Sequence, residues 1–214
     1  MWSRPPPLHY SPPQHTNQRN TMSLEYALEK FPLKTRLKDG TAVTIRPLGK
    51  RDAAALQKFF YAVPEPERLF IERPVTDKKF FAQACAKIDF NQDFTLVMLH
   101  GAKIIGWINL HQRQGGWRRH IGRITLLTHP NYRGRDVSLR LLEEIMAVGR
   151  YLGLWKLEAE LTADRKIAIR SLETLGFRQL WLLPDYVIDM TRQPHDFLLM
   201  GLDLKTDEEY AAAG

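Results

Sequence analysis

Alternating polar and apolar residues near the start of the chain predict a hairpin followed by a helix. The segment KTRLKDGTAVTIRPL (34–48) alternates on both sides of Asp39-Gly40, which is a strong two-residue turn signal. The segment 50–63 is rich in alanine, leucine and glutamine and predicts a helix that ends before Pro64.

A second helix is predicted at 76–88, with Thr76 as its N-cap. Its apolar residues recur at a spacing of four, which predicts a buried side formed by Phe80, Ala84 and Ile88. Three apolar strands then follow at 94–99, 103–112 and 121–128, and their order predicts an antiparallel meander.

The next helix has the clearest periodicity in the chain. Its apolar positions are Val137, Leu141, Ile145, Val148 and Leu152. A strand at 155–161 follows, and the strand–helix–strand order predicts a parallel pair with a right-handed crossover. A short helix in DRKIAIRSLETLGF, N-capped by Asp164 and stopped at Gly176, and two closing strands complete the pattern.

Composition indicates one cytoplasmic domain with tails. We expect a disordered Pro-rich tail at 1–21, a single domain at 22–205 and a frayed end at 206–214. No stretch approaches the ~18 apolar residues of a membrane helix, and the N-terminus has no apolar signal-peptide core. Cys85 is the only cysteine, so no internal disulfide forms, and we expect it in the core.

The net charge of +7 fits an anionic ligand, a phosphate-bearing cofactor or nucleic acid without choosing among them. The loop GWRRH (116–120) mixes an aromatic with basic residues, but it is short, and nucleic-acid binding is not favoured. The sequence has no Cys/His cluster at zinc spacing and no phosphate loop of the GxxxxGK[ST] type. We therefore expect no metal.

Two local sequences resemble motifs of the GNAT superfamily of N-acetyltransferases. THPNYRGRDVSLRLL (128–142) is similar to that family's acetyl-CoA loop, Arg/Gln-x-x-Gly-x-Gly/Ala, and RKIAIRSLETLGF (165–177) is similar to its later helix. The segments LKDGTAVTIRPL and HDFLLMGLDL resemble the acetyltransferase domain of bacterial protein lysine acetyltransferases. The order of elements over 34–204 agrees with the family.

The resemblance implies an α+β (three-layer α/β) fold: a mixed, mostly antiparallel twisted sheet with one parallel strand pair splayed at its centre and helices on both faces. It also implies acetyl-CoA as cosubstrate. The pyrophosphate would lie on the turn before the helix, where free amides and the helix dipole favour an anion. The residues expected to contact acetyl-CoA are Leu126, Leu127, Thr128, Arg133, Gly134, Arg135, Asp136, Val137, Ser138 and Arg165.

The loop departs from the family pattern at Asp136, which stands where the family has glycine. Its carboxylate would repel pyrophosphate, and as an N-cap it would accept from the amides that a phosphate needs. Arg133 and Arg135 flank it and either restore a favourable field or pair with it. Ser138, at the second small position, is a mild change.

The later helix departs as well, because Leu172 replaces the tyrosine that often assists the leaving thiolate in the family. For the base, Glu160 and Glu158 share one face of a strand, where pairing with Lys156 or an arginine is the alternative. His111 is a second candidate, and Tyr186 a third group that approaches from the closing hairpin.

These observations predict an acetyl-CoA-dependent N-acyltransferase acting by direct attack of a primary amine, either a small amine or a protein lysine. The alternative is a degenerate module of the same fold that binds acyl-CoA or a protein partner without turnover, which Asp136 and Leu172 favour. A homodimer is left open.

Overall fold

The computed structural model describes residues 24–68, 78–189 and 191–205. Eight strands within these ranges form one sheet in the order β1-β2-β3-β4-β5-β6-β8-β7. They are β1 (Leu33–Arg36), β2 (Ala42–Pro47), β3 (Asp93–His100), β4 (Lys103–His111), β5 (Ile121–Thr128), β6 (Lys156–Thr162), β7 (Arg178–Ile188) and β8 (Pro194–Asp203). Neighbours are antiparallel except for the parallel pair β5–β6, so the predicted mixed sheet is confirmed.

Helices cover both faces of this sheet. They are α1 (24–29), α2 (Ala53–Ala62), α3 (Glu65–Arg68), α4 (Lys78–Ala86), α5 (Val137–Tyr151) and α6 (Lys166–Thr174). The predicted tails at 1–21 and 206–214 and the predicted cap Thr76 lie outside the described residues. None of the described helices is long and apolar enough to cross a membrane.

Helix α5 packs on one face of the sheet against β3, β4 and β5. Val137, Leu141, Ile145 and Val148 on α5 are buried and Leu152 is partly buried, as the predicted periodicity requires. The close approach depends on Gly106 of β4, because a Cβ there would lie 2.7 Å from both Leu141 Cδ1 and Val137 Cγ1. Glycine at this one position therefore sets how near the helix start lies to the sheet.

Helices α2 and α4 cover part of the opposite face, in a second core that includes Val97 and Trp107. The prediction for the buried side of α4 is wrong by one residue. Phe81 and Cys85 are the buried positions, and the predicted residues flank them. The cause is the contact with α2, where the rings of Phe81 and Phe60 lie 5.4 Å apart.

The N-cap prediction for α6 is also wrong. The helix begins at Lys166, its N-cap position is Arg165, and the Arg165 side chain makes no cap hydrogen bond. The Asp164 carboxylate instead accepts a hydrogen bond from the Thr162 hydroxyl. Short polar side chains often form hydrogen bonds within their own turn, and Asp164 bonds to Thr162 in this way instead of to the first amides of α6.

Candidate functional site

Strands β5 and β6 separate part of the way along their length. Their register pairs run from Ile121↔Lys156 to Ile124↔Ala159 and then stop. Beyond that point β5 stays bonded to β4 as far as Thr128, while β6 stays bonded to β8 as far as Thr162. The sheet therefore opens between the two strands, at the place where the resemblance puts the pantetheine arm.

The three residues of β5 predicted to line this opening are half-buried. Leu126 packs against the core on the α5 side, and Leu127 packs against the core under α2 and α4. The Thr128 and Ser138 hydroxyl oxygens lie 3.0 Å apart, which joins the end of β5 to the first turn of α5.

The turn between β5 and α5 uses two residues in the left-handed region of φ. Gly134 has a φ of 72° and Asp136 a φ of 63°, and α5 begins directly afterwards at Val137, as predicted. Aspartate tolerates this backbone conformation better than most residues because its short side chain finds local partners. Asp136 thus keeps the backbone shape that glycine would give.

The predicted capping role of Asp136 is wrong. Its side chain makes no cap hydrogen bond to α5, although it stands at the N-cap position. The Oδ1 atom accepts from the backbone N–H of Lys38 at 3.1 Å, and Oδ2 lies 3.5 Å from Nε of Arg140. The carboxylate is bonded to the β1–β2 hairpin and paired with Arg140 instead, so it does not occupy the first amides of α5.

The flanking arginines do not pair with Asp136 either. Arg135 bonds to Asp39 at 3.0 Å, and its guanidinium lies 5.2 Å from the centre of the Tyr132 ring. Arg133 bonds to Glu67 of α3, and Arg165 lies 3.6 Å from the other oxygen of the same carboxylate. Two predicted anion-binding arginines therefore share one carboxylate.

Glu67 is a member of this site that the sequence pattern does not reveal. It lies in a four-residue helix, 66 positions from Arg133, and no motif connects the two. Its carboxylate sits where the two guanidinium groups converge. This is the position that an incoming anion would compete for.

A buried histidine, His129, stands at the start of this turn, close to positive charges. His129 is 5% exposed and accepts a hydrogen bond from the Asn131 amide at Nδ1. Burial lowers the pKa of His129, and the nearby charges of Lys103 and Arg133 lower it further. The positive field of Lys103 and Arg133, which disfavours a positive charge on the His129 imidazole, also attracts an anion.

On the face opposite α5, a small cavity of about 60 Å³ lies near the end of the paired part of β5 and β6. We call it the polar pocket, and its lining residues are His111, Arg113, Arg118, Ile121, Arg123, Glu158 and Glu160. His111, Arg123 and Glu158 are successive register partners and so share one face of the sheet. Trp107, four residues before His111 on β4, packs in the core under α2 and α4, so the pocket lies on that same face.

The two predicted glutamates both lie in the polar pocket, and both pair with arginines. Glu158 is 8% exposed and bonds to Arg118, while Glu160 is exposed and lies 3.3 Å from Arg123. Pairing with an arginine was the alternative to a base role, and both side chains show it.

The structure does not bring Tyr186 into this group. Tyr186 lies on the outer strand β7, which β8 separates from β6, and its ring is 67% exposed beside Phe197. Leu172, at the family's tyrosine position, is buried in the core on the α5 side. Neither residue lines the polar pocket.

Comparisons with known proteins agree with this architecture. The ribosomal-protein-S5-alanine acetyltransferase from Vibrio fischeri superposes on this chain with a TM-score of 0.69, at 15% identity over 81% of this chain and 97% of that one. The GNAT domain of S. lividans PAT gives 0.65, at 20% identity over 79% and 96%. The Salmonella typhimurium protein yncA, solved with its cofactor acetyl-CoA, gives 0.63, at 18% identity over 76% and 94%.

At these identities the structural likenesses show the fold alone. No curated protein sequence matches the chain significantly. A model of the acetyltransferase (GNAT) family matches residues 56–177, which run from α2 through the opening between β5 and β6 to the end of α6. Because this match covers more than half of the 214 residues, the chain belongs to the GNAT acetyltransferase family.

Proposed function

We propose that this chain transfers the acetyl group of acetyl-CoA to a primary amine, which is a small amine or a protein lysine. Acetyl-CoA-dependent acetylation is the activity of the family. The observation that carries the proposal for this chain is the uncapped start of α5 beside the opening between β5 and β6. Free amides at a helix start form a ready site for a phosphate.

The residues present fit the cofactor in three ways. The pyrophosphate would lie on the amides of the turn 133–138, with Arg133, Arg135 and Arg165 around it. The pantetheine arm would follow Leu126, Leu127 and Thr128 along the open edge of β5. Val137 is buried and fixes the helix start, and Ser138 holds the strand end through Thr128.

The acceptor side follows from the direction of β5. An arm that enters at Thr128 and follows β5 back toward Ile124 covers four residues, or about 13 Å at about 3.3 Å per residue. The arm then ends where β5 and β6 come together, near the polar pocket. Bound acetyl-CoA supplies the acetyl group as a thioester, and a base in the pocket takes a proton from the amine. Glu160 and Glu158 are the groups predicted for that role, but both are paired with arginines.

A module that binds acyl-CoA without turnover is the second candidate, and the buried Leu172 favours it. A homodimer also stays a prediction. The outer strand β7 has exposed apolar side chains, with Trp181 65% and Ile188 67% exposed, and a second copy of the chain would cover them. The molecular mass in solution tests whether the protein is a homodimer.

Calorimetric titration with acetyl-CoA tests the cofactor site. We expect the wild type to bind at micromolar affinity, and Asp136→Gly to bind within about threefold of it, because the carboxylate is already turned toward Lys38 and glycine keeps the left-handed φ. Binding by the variant alone would show that Asp136 closes the site. Release of free thiol with a panel of amines then separates an enzyme from a binding module.

Glu67→Gln is expected to strengthen acetyl-CoA binding. The carboxylate holds Arg133 and Arg165, so an incoming anion must displace it. A partly exposed ion pair of this kind is worth about 1 kcal/mol, which corresponds to about fivefold in affinity. Glu65→Gln, on the same helix, is the matched control and should bind as the wild type does. Weaker binding by Glu67→Gln would mean that Glu67 holds the arginines in place for the cofactor.

A further inference from the structure

A chain of side-chain hydrogen bonds crosses β3 and β4 on the face opposite α5. The Thr95 hydroxyl donates to Asn109 Oδ1 at 2.8 Å, and Asn109 Nδ2 donates to Asp93 Oδ1 at 2.9 Å. The same Asp93 oxygen lies 3.0 Å from His111 Nδ1. Asp93 and His111 are direct register partners, so the sheet itself holds the carboxylate against the imidazole.

This contact sets the tautomer of His111. A carboxylate accepts a hydrogen bond, so the proton of the neutral imidazole lies on Nδ1 and the lone pair lies on Nε2. Among the described residues, none bonds to Nε2, and the His111 side chain is 29% exposed in the wall of the polar pocket. An imidazole held by a carboxylate at one nitrogen, with the other free, is the arrangement of a general base.

The two glutamates of the pocket are placed differently. Arg118 and Arg123 each engage one oxygen of these carboxylates, so both glutamates already have a charged partner. The pocket thus joins two carboxylates that already have arginine partners with one imidazole that is free to take a proton from an ammonium group.

The geometry points to the polar pocket as the site of the acceptor amine, with His111, oriented by Asp93, as the group that takes its proton. This inference rests on the proposed function and deepens it. The ammonium group loses one proton to His111 Nε2, and the nitrogen lone pair forms the C–N bond to the acetyl carbon. The C–S bond breaks with its electron pair on sulfur, the second proton of the amine ends on that sulfur, and His111 returns its proton to water.

Charged side chains from several elements surround His111. Asp93 of β3 contacts it directly. The other charged groups that face the pocket are Arg123 of β5, Glu158 and Glu160 of β6, and Arg113 and Arg118 of the loop after β4. With three cations and two carboxylates besides the dyad, the pocket stays close to charge balance when a neutral amine is bound.

The test is the pH dependence of kcat/KM for the best amine from a panel containing an alkylamine, a diamine, an amino acid and an α-blocked lysine. We expect the wild type to show a rising limb between about pH 5 and 8, where histidines titrate. His111→Gln should lose that limb and about a hundredfold or more in kcat. Asp93→Asn, a change at a positioning residue, should lose about tenfold in kcat while the KM for the amine changes little.

His120→Gln is the matched control, because His120 packs on Trp155 and does not line the pocket, so it should keep both the rate and the limb. Glu160→Gln should keep the limb. If His111→Gln retains the limb and a rate within threefold of the wild type, the assignment of His111 is wrong while amine acetylation stands. Tight acetyl-CoA binding without turnover of any amine by the wild type would overturn the proposed function and this inference with it.

Discussion

Gly106→Val is expected to destabilise the protein by about 2–3 kcal/mol and to weaken acetyl-CoA binding at least tenfold, about 1.4 kcal/mol or more. A Cβ at this position would lie 2.7 Å from Val137 Cγ1 and 2.7 Å from Leu141 Cδ1. Both atoms belong to fully packed residues of α5, and interiors at crystal-like density have no room to absorb two further methyl groups. The helix must therefore move away from β4.

The effect on binding follows from which residue is displaced. Val137 is the first residue of α5, and its amide is among those proposed to hold the pyrophosphate. A shift of the helix start changes the positions of these amides relative to the end of β5, which Ser138 and Thr128 now join. Stability and affinity should thus fall together, because one contact sets both.

Urea unfolding and calorimetry measure the two effects. Gly115→Val is the matched control, since a Cβ at Gly115 meets no atom within 4 Å, and it should change neither quantity. If Gly106→Val loses stability but binds acetyl-CoA as the wild type does, the start of α5 is not the pyrophosphate site.

Most of the fold can be predicted from the sequence because its signals are local. Alternation in β2 and the period of α5 each follow from which residues face a core, and both are confirmed. The error in α4 has a tertiary cause. Spacing shows that a helix has an apolar stripe, but the partner helix α2 decides that Phe81, and not Phe80, lies at its centre.

The candidate site is less predictable, because distant residues complete it. Asp136 is a good N-cap by residue type, yet its carboxylate bonds to the Lys38 amide, 98 positions away, across the hairpin turn. Local propensity could not weigh that partner. The link from Glu67 to Arg133 has the same character.

The pairing of Asp93 with His111 lies between these cases. Asp93 directly precedes the strand predicted at 94–99, and His111 lies in the neighbouring strand predicted at 103–112, so a known register would have placed them side by side. Register, however, depends on the turn between β3 and β4 and on the irregularity at Met98/Leu99. The register of β3 and β4 is therefore the part of this site that cannot be predicted from the sequence.

Asp52→Asn is expected to cost about 2–3 kcal/mol of unfolding free energy at pH 7. Asp52 is 8% exposed, and its two oxygens accept from Nη1 and Nη2 of Arg46 at 2.6 and 2.8 Å. Removing one partner of a buried pair costs about 3–5 kcal/mol, and because Arg46 is about a third exposed we expect less than that range. The pair ties the start of α2 to β2, so the loss should appear as loosening of α2 from the sheet.

The pH dependence gives a second readout with a definite sign. Burial alone would raise the pKa of Asp52, but the hydrogen bonds from Arg46 and from the Gly49 amide outweigh it, and the pKa is lowered. A carboxyl group with a lowered pKa stabilises the fold above its unfolded value, near 3.8, and this contribution is lost as the pH falls below it. The difference between wild type and Asp52→Asn should therefore be full at pH 7 and shrink as the pH falls below about 3.8.

Urea unfolding of wild type, Asp52→Asn, Arg46→Met and the double variant at several pH values measures this coupling. The double variant should be more stable than the sum of the single losses predicts, because no buried charge is left without a partner. Asp39→Asn is the control, since Asp39 also pairs with an arginine but lies in an exposed turn, and its loss should be much smaller. Equal losses for Asp39→Asn and Asp52→Asn, or a difference that grows as the pH falls, would show that the Arg46–Asp52 pair does not hold α2 in place.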